Sequence, residues 1–289
     1  MRPPPAAAAP ASRLNDHLIA RSTPSFKKVA LPVKIATWNV NSIRQREGHV
    51  LSWLERNQPD ILLLQEIKCE TAAFPAQAFA KLGYQAEAVG QKAYNGVAVL
   101  SRVPFEVTQR TLPGLPPDDA QARYIEIRAL NTIIGNLYLP NGNSGGEAGY
   151  AYKLGWMEHL AQHAASLLAA GEDLILAGDY NVCPTEEDYA PGALPPEDAL
   201  LRPETRARFR SLLWLGLTDA VRAMRPSGQI YTFWDYQAGA WPRDRGLRID
   251  HALLSSRMAE RLIEALPDRM ERDQPQPSDH VPVIISFEP

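Results

Sequence analysis

From Val33 onward the chain alternates short β-rich runs with helical patterns, and one pair of runs breaks that alternation. The β-rich runs are KIATWNV (34–40), DILLLQE (60–66), GVAVLS (96–101), YIEIRAL (124–130), TIIGNLYLP (132–140) and DLILAGD (173–179). Apolar residues at helical spacing mark HVLSWLERN (49–57), PAQAFAKL (75–82), YKLGWMEHLAQHAASLLAA (152–170) and PETRARFRSLLWLG (203–216), the last with Pro203 at its start. Strict strand–helix alternation would favour a doubly wound parallel sheet. YIEIRALNTIIGNLYL instead reads as two strands joined by a short Leu-Asn-Thr connection, which is an antiparallel hairpin. The pattern predicts an α/β chain whose mixed sheets contain antiparallel pairs and carry helices outside.

Residues 32–289 show no composition break and no strict repeat, so one catalytic-size domain is expected there. Residues 1–31 differ: Pro, Ala and Ser dominate and Asp16 is the only acid, which reads as a disordered or processed N-terminal tail. No apolar run approaches the roughly 18 residues needed to span a membrane, so no membrane partner is expected. The net charge of −3 argues against a protein that coats nucleic acid through its overall field. It leaves room for an enzyme that grips a few phosphates locally while keeping acidic metal ligands. The two cysteines, Cys69 and Cys183, lie in no CxxC or Cys/His cluster. Neither a disulfide framework nor structural zinc is expected, and a reducing compartment fits. A bacterial cytoplasm is the expected location, with an organelle left open by the Arg-containing tail.

The informative feature is where the polar residues fall. KIATWNVN closes on Asn39 and Asn41, DILLLQE on Glu66, NLYLPNG on Tyr138 and Asn141, and LILAGDYNV on Asp179 and Asn181. RID closes on Asp250, and SDH places Asp279 and His280 just before the apolar run VPVIISF. Any one of these is ordinary turn chemistry, because Asn and Asp close strands well. Six together are harder to dismiss, since a sheet brings distant strand ends to one edge. Carboxylates and amide oxygens are hard ligands suited to Mg²⁺ or Mn²⁺ rather than zinc. Such a cation would neutralise a scissile phosphate, and a carboxylate that orients or deprotonates water would supply the nucleophile. Asp250 could fix the tautomer or charge of His280. The chemistry suggested is phosphodiester hydrolysis.

WNVNSIR (38–44), PDILLLQEIKC (59–69), YNGVAVLSR (94–102), YLPNG (138–142), GDYNVCPTEED (178–188), RGLRIDHALLS (245–255) and PSDHVPV (277–283) resemble, in order, the motifs of the exonuclease III family. That family lies in the endonuclease/exonuclease/phosphatase superfamily with the DNase I-like nucleases, and the resemblance covers about residues 33–288. It implies a four-layer α/β sandwich, two mixed β-sheets packed face to face with helices outside. It also implies an abasic-site endonuclease and 3′-exonuclease that uses Mg²⁺, one ion or two, with Mn²⁺ a plausible substitute. The partner would be double-stranded DNA carrying abasic sites or 3′ ends, and the protein a monomer. Glu66 would be the principal metal ligand, with Asn39 or Asn41 and Asp279 nearby. Asp179 would activate water, Asn181 would hold the phosphate, and both, with His280, would flank a second metal position. Tyr138 would contact the phosphate or assist the leaving group, and His280, oriented by Asp250, would polarise a phosphate oxygen. Asn41, Lys92, Asn95 and Asn141 match positions near the DNA backbone. Phe233, Trp234 and Leu247 match the surroundings of the extruded sugar, with Leu247 standing where some relatives carry a larger aromatic.

Basic residues beyond the site read as phosphate contacts: Arg243, Arg245 and Arg248 before Asp250, and Arg202, Arg206, Arg208 and Arg210 on or near a helix. A solvated helix face is the plainer reading of the second group. Two other signals fail on inspection. GNSGG (142–146) matches the serine-hydrolase elbow, yet Pro140 and Asn141 already end the strand and the glycines read as a loop. HLAQH (159–163) spaces two histidines like zinc ligands but lacks the catalytic Glu, with Leu at position 160. The alternatives are a phosphatase or phosphodiesterase for inositol phosphates or lipids, a Ser144 hydrolase, and a catalytically dead DNA-binding module.

Overall fold

The structure is a computed structural model that describes residues 1–4 and 32–289. The tail expected over 1–31 lies outside the described residues but for its first four. Residues 32–289 belong to one compact unit. Its strands are β1 (Val33–Asn39), β2 (Ile61–Gln65), β3 (Gln85–Val89), β4 (Val97–Ser101), β5 (Glu106–Gln109) and β6 (Tyr124–Ala129), then β7 (Thr132–Tyr138), β8 (Leu174–Asp179), β9 (Thr218–Asp219), β10 (Asp250–Leu254), β11 (Leu262–Pro267) and β12 (Val283–Phe287). The helices are α1 (Ile43–Asn57), α2 (Ala76–Ala80), α3 (Gly146–Ala169), α4 (Pro203–Trp214), α5 (Ala220–Met224) and α6 (Ser256–Glu260).

Two six-stranded sheets result, ordered β11-β12-β1-β2-β4-β3 and β5-β6-β7-β8-β10-β9. Each holds one parallel pair near its middle, β1 with β2 and β7 with β8, and every other pairing is antiparallel. The expected hairpin is β6–β7, turned at Leu130 and Asn131, both in the left-handed region.

Alternation along the strands builds the layers. Ile35, Ile61, Leu63, Val97 and Val99 of one sheet pack against Ile125, Ile127, Ile134, Ile175 and Ala252 of the other. The residues between them face outward. Ala36, Trp38, Leu62 and Leu64 meet Val50, Trp53 and Leu54 of α1 and Phe79 of α2. Ile133, Leu137, Leu174 and Leu176 meet Trp156 and Leu160 of α3 and Phe209 and Leu212 of α4. Central strands are therefore apolar on both faces, which is why they read as unbroken runs. Each such side chain contributes roughly 1.5–3 kcal/mol of transfer free energy on burial. These layers are the four-layer sandwich.

The sequence pattern misplaced some boundaries. Helix α1 starts at Ile43 rather than His49, and α3 at Gly146 rather than Tyr152, because their first turns are polar or glycine-rich and show no apolar stripe. Asp250 opens β10 rather than closing a strand.

Candidate active site

Register puts the polar strand ends side by side. Asn39 pairs with Gln65 across β1 and β2, so Glu66 follows at the same edge. In the second sheet Tyr138 pairs with Asp179, and Asp179 with Asp250. The parallel strands β1, β2, β7 and β8 thus aim their carboxyl ends at one cleft, where open α/β sheets place ligands. Gly178 has φ +152°, and a Cβ there would lie 1.9 Å from the Leu137 carbonyl oxygen, so only glycine fits before Asp179. Asn41, Ser42, Glu66, Lys68, Asn95 and Asn181 all adopt positive φ without being glycine. Strain gathered in this way marks a site held by its surroundings.

Asn39 bridges the two sheets at the cleft floor: its Nδ2 donates to Glu66 Oε1 at 2.8 Å and to Asp179 Oδ2 at 2.9 Å. Its own oxygen accepts the Asn41 N–H at 3.0 Å. Asn39 therefore clamps the Glu66 and Asp179 carboxylates together at the place where the resemblance implies a metal ligand. Potential ligand atoms of Glu66, Asp179 and His280 lie within 4.8 Å of one another, and this group can hold a metal ion. Asp279 is outside it, accepting from Asn41 Nδ2 at 3.1 Å. Lys68 pairs with Glu66 at 2.8 Å and also donates to Asn41 Oδ1.

His280 is enclosed, with Nδ1 2.9 Å from Asp250 Oδ2 and Nε2 3.8 Å from Asp179 Oδ2. Thr232 Oγ1 donates to the same Asp250 oxygen at 2.5 Å, while Asp250 Oδ1 is buried without a partner. Burial pushes the His280 imidazole down, but the Asp250 and Asp179 carboxylates more than reverse that and hold it protonated. Burial pushes the Asp179 carboxyl up, against the opposing pull of His280. Glu66 differs: burial raises it, yet Lys68 and the Asn39 amide bring it below the usual carboxylate range. Burial and the neighbouring Glu66 and Asp179 drive the Tyr138 phenol well above its ordinary value, so it remains a proton donor. The arrangement offers an ionised carboxylate, a carboxylate of raised basicity, an imidazolium and a phenol around one cavity of about 220 Å³. That combination can bind a phosphate, take a proton from water and return one to a leaving oxygen.

Asn181 Nδ2 donates to the Leu139 carbonyl at 3.0 Å, its Oδ1 accepts from Asn141 Nδ2 at 2.9 Å, and its N–H reaches Asp179 Oδ1 at 2.9 Å. Behind them lies a residue that sequence reasoning missed. Lys153 of α3 is fully buried and donates to the carbonyls of Asn141 at 2.9 Å and Asn181 at 2.6 Å. Its position inside an apolar helical stretch gave no signal, because lysine is almost always exposed.

Other expected site residues lie apart from this centre. Lys92 is exposed and lines a shallow depression with Arg44 and Lys68. Asn95 is buried and directed at Gln91 and Gln121, where it ties loops together rather than facing the cleft. Phe233 and Leu247 line the cleft, with the Phe233 ring 4.9 Å from that of His280. Trp234 does not: it is wholly buried against Tyr231 and Trp241 and donates to Asp244. Arg248 is no phosphate contact, since it is buried between Asp188 and Asp219. Arg206 and Arg208 are paired with Glu186 and Glu158, and Arg202 lies over Tyr150, leaving exposed Arg210. Ser144 sits in an exposed turn ahead of α3, without the sharp strand-to-helix elbow a serine nucleophile needs.

Comparison with known proteins matches residues 36–280 to the endonuclease/exonuclease/phosphatase family. The chain is 32% identical to exodeoxyribonuclease III of Haemophilus influenzae over 270 residues, covering 88% of this chain and all of that protein. Among solved structures it resembles the 3′ phosphatase NExo from Neisseria bound to a product DNA hairpin, at TM-score 0.84 and 38% identity, covering 88% of this chain and 99% of that one. It also resembles an AP endonuclease from Archaeoglobus fulgidus, at TM-score 0.83 and 35% identity, covering 89% and 100%.

Proposed function

The chain belongs to the endonuclease/exonuclease/phosphatase family, on its exodeoxyribonuclease III branch, and from that premise we propose that it is a Mg²⁺-dependent DNA-repair phosphodiesterase. It hydrolyses DNA 5′ to abasic sites and removes nucleotides or blocking groups from 3′ ends. The names of its relatives, an exodeoxyribonuclease, a DNA 3′ phosphatase and an AP endonuclease, favour DNA over inositol phosphates or lipids. The observation that carries the reading is the convergence of Glu66, Asp179 and His280 within 4.8 Å, the two acids at the carboxyl ends of β2 and β8 and the histidine just ahead of β12.

The carboxylates of Glu66 and Asp179, with amide oxygens at hand, form a hard donor set that fits Mg²⁺ or Mn²⁺, while the protonated His280 serves as a hydrogen-bond donor beside it. Glu66 would be the principal holder, and the ion would supply charge neutralisation at the scissile phosphate. The chain's own groups do the rest. Asp179, kept basic by burial, takes the proton of the attacking water. Asn181 and the His280 imidazolium hold the non-bridging phosphate oxygens, and Asp250 keeps His280 oriented and charged. Tyr138, still protonated, contacts the phosphate and assists the leaving oxygen. Lys92, Asn41 and Asn141 border the path of the DNA backbone, and Phe233 and Leu247 face the sugar.

The test is cleavage of a duplex oligonucleotide carrying one abasic-site analogue, with Mg²⁺, with EDTA, and with the Asp179→Asn variant. Incision immediately 5′ to the lesion that disappears in both controls supports the reading. Incision that persists in EDTA overturns the metal mechanism, and no cleavage of any DNA end or lesion by folded protein overturns the substrate.

A further inference from the structure

The cleft does not end at Leu247. A second cavity, of about 240 Å³, lies beside the catalytic one of about 220 Å³. The two share Leu194, Phe233, Asp235 and Leu247 as a common wall. Phe233 pairs in backbone bridges with both Leu247 and His280, so this shared aromatic is fixed relative to the catalytic imidazole. Nothing in the hydrolytic chemistry uses the second compartment, and an abasic sugar with its phosphate needs only the first.

We propose that this second cavity holds the base of an intact 3′-terminal nucleotide while its sugar and phosphate occupy the catalytic compartment. The proposal rests on the DNA-hydrolase reading above and deepens it by assigning the compartment that receives the base when a 3′-terminal nucleotide is removed. Two adjoining compartments of similar size match the two halves of a nucleoside, whereas an abasic residue has one half only. The lining is suited to a base. Leu194, Phe233 and Leu247 offer apolar and aromatic surface to its faces. Stacking on such surface is indifferent to which base is present. Ala193 and Ala240 keep the floor open where larger side chains would fill it.

The rim supplies hydrogen bonding without selecting a partner. Gln237 both donates and accepts, Asp235 accepts, and Arg245 donates. Arg245 also reaches the Gly192 carbonyl, which leaves other guanidinium N–H groups to face the cavity. A mixed set of this kind meets the edge of any of the four bases, as an exonuclease without sequence preference requires. A 3′-terminal base is also stacked on one side only, so it leaves the duplex at lower cost than an internal one.

The test fills the cavity and compares two substrates. Ala193 is half-buried at the cavity wall, outside the catalytic groups, and Ala193→Phe would occupy the room a base needs. Removal of an unmodified 3′-terminal nucleotide should fall by about tenfold or more in kcat/KM, in keeping with steric exclusion from a shaped pocket. Incision at an abasic analogue should stay near wild type, which also shows that the variant is folded. Binding gives a second readout in the Asp179→Asn background, with 2-aminopurine as the 3′-terminal base. Its fluorescence should rise as it leaves the stack, and the added Ala193→Phe should abolish the rise. Equal loss on both substrates, or exonuclease activity unaffected by the filled cavity, overturns the proposal and leaves the DNA-hydrolase reading standing. Wild-type protein that cleaves neither substrate overturns that reading and this proposal with it.

Discussion

Two clusters of buried charge sit at neighbouring points of the second sheet, only two residues apart along the chain, and they are built on opposite principles. Around Arg248 the charges close on themselves. Its Nε donates to Asp188 Oδ1 and its Nη1 to Asp219 Oδ2, both at 2.7 Å, and Arg222 donates to Asp188 at 2.5 Å. Two acids face two guanidinium groups. Burial pushes both carboxyls up, but Arg248 more than reverses it, so both lie below the usual carboxylate range. Around Asp250 the balance fails. Asp179 and Asp250 share the single cation His280, Asp250 Oδ1 has no partner, and the Asp179 carboxyl is pushed up instead of down. A closed cluster resists unfolding and offers nothing to a ligand. An open, acid-rich cluster costs stability and is completed by whatever binds, so function shows here as an imbalance of charge and not as charge alone.

The sharpest way to break this comparison is to remove one acid from the open cluster. Asp179→Asn should lower incision by about 10³-fold, within the range expected for loss of a general base. Its folded-state pKa is raised, so the ionised form opposes folding at every pH above the ordinary value of 3.8. The Asn variant should therefore be as stable as the wild type or more so near neutral pH, by thermal melting in EDTA. Lost stability with retained activity would reverse the assignment of the two clusters. Arg248→Met should do the converse. Leaving Asp188 and Asp219 buried without their shared partner costs about 3–5 kcal/mol, while incision per folded molecule stays unchanged.

The fold and the open cluster were largely legible in the sequence, the closed cluster was not, and what was hidden had physical reasons. Runs such as DILLLQE and DLILAGD announced central strands because both faces are buried, and the polar group closing each run announced the cleft. The edge strands β3, β5 and β11 are QAEAV, EVTQ and LIEALP, half-exposed and too mixed to stand out. Glu66, Asp179 and His280 were recognisable as a set because strand ends converge. Local sequence cannot say which arginine is already paired. Arg248 sits beside Arg245 and a catalytic acid, yet Asp188 and Asp219, distant in sequence, consume its charge. For the same reason Trp234 could not be told from its neighbour Phe233: only the fold shows that one faces the core and the other the cleft.

A smaller effect sharpens the comparison through His280. Asp250→Asn keeps the shape of the pair but removes the main charge that raises the imidazole. In the wild type the folded-state pKa lies above the ordinary 6.5, so this pair's contribution to stability is fully present below that pH and is lost as pH rises through the raised value. The variant should show a flatter stability curve from neutral pH upward in EDTA, and about 10–100-fold weaker incision, the usual cost of losing an orienting partner. A variant with unchanged pH dependence would show that Asp250 does not set the charge of His280.

The smallest effect concerns Lys153, the one buried cation that supports the open cluster from behind. Burial lowers its amine from the ordinary 10.5 to about 7, against the pull of Asp179 and Asp198. A lysine depressed in the folded state opposes folding fully below about pH 7, and that opposition fades as pH rises toward the unfolded value. Lys153→Met removes it, so the variant's stability relative to wild type should be most favourable at pH 6 to 7 and decline toward pH 10. The carbonyls of Asn141 and Asn181 lose their donor at the same time. Their loops then hold Asn181 less firmly, and kcat should fall while the protein remains folded. If stability instead declines equally at all pH values and activity per folded molecule is unchanged, Lys153 belongs with Arg248 as a closed structural contact, and the boundary of the open cluster lies in front of it.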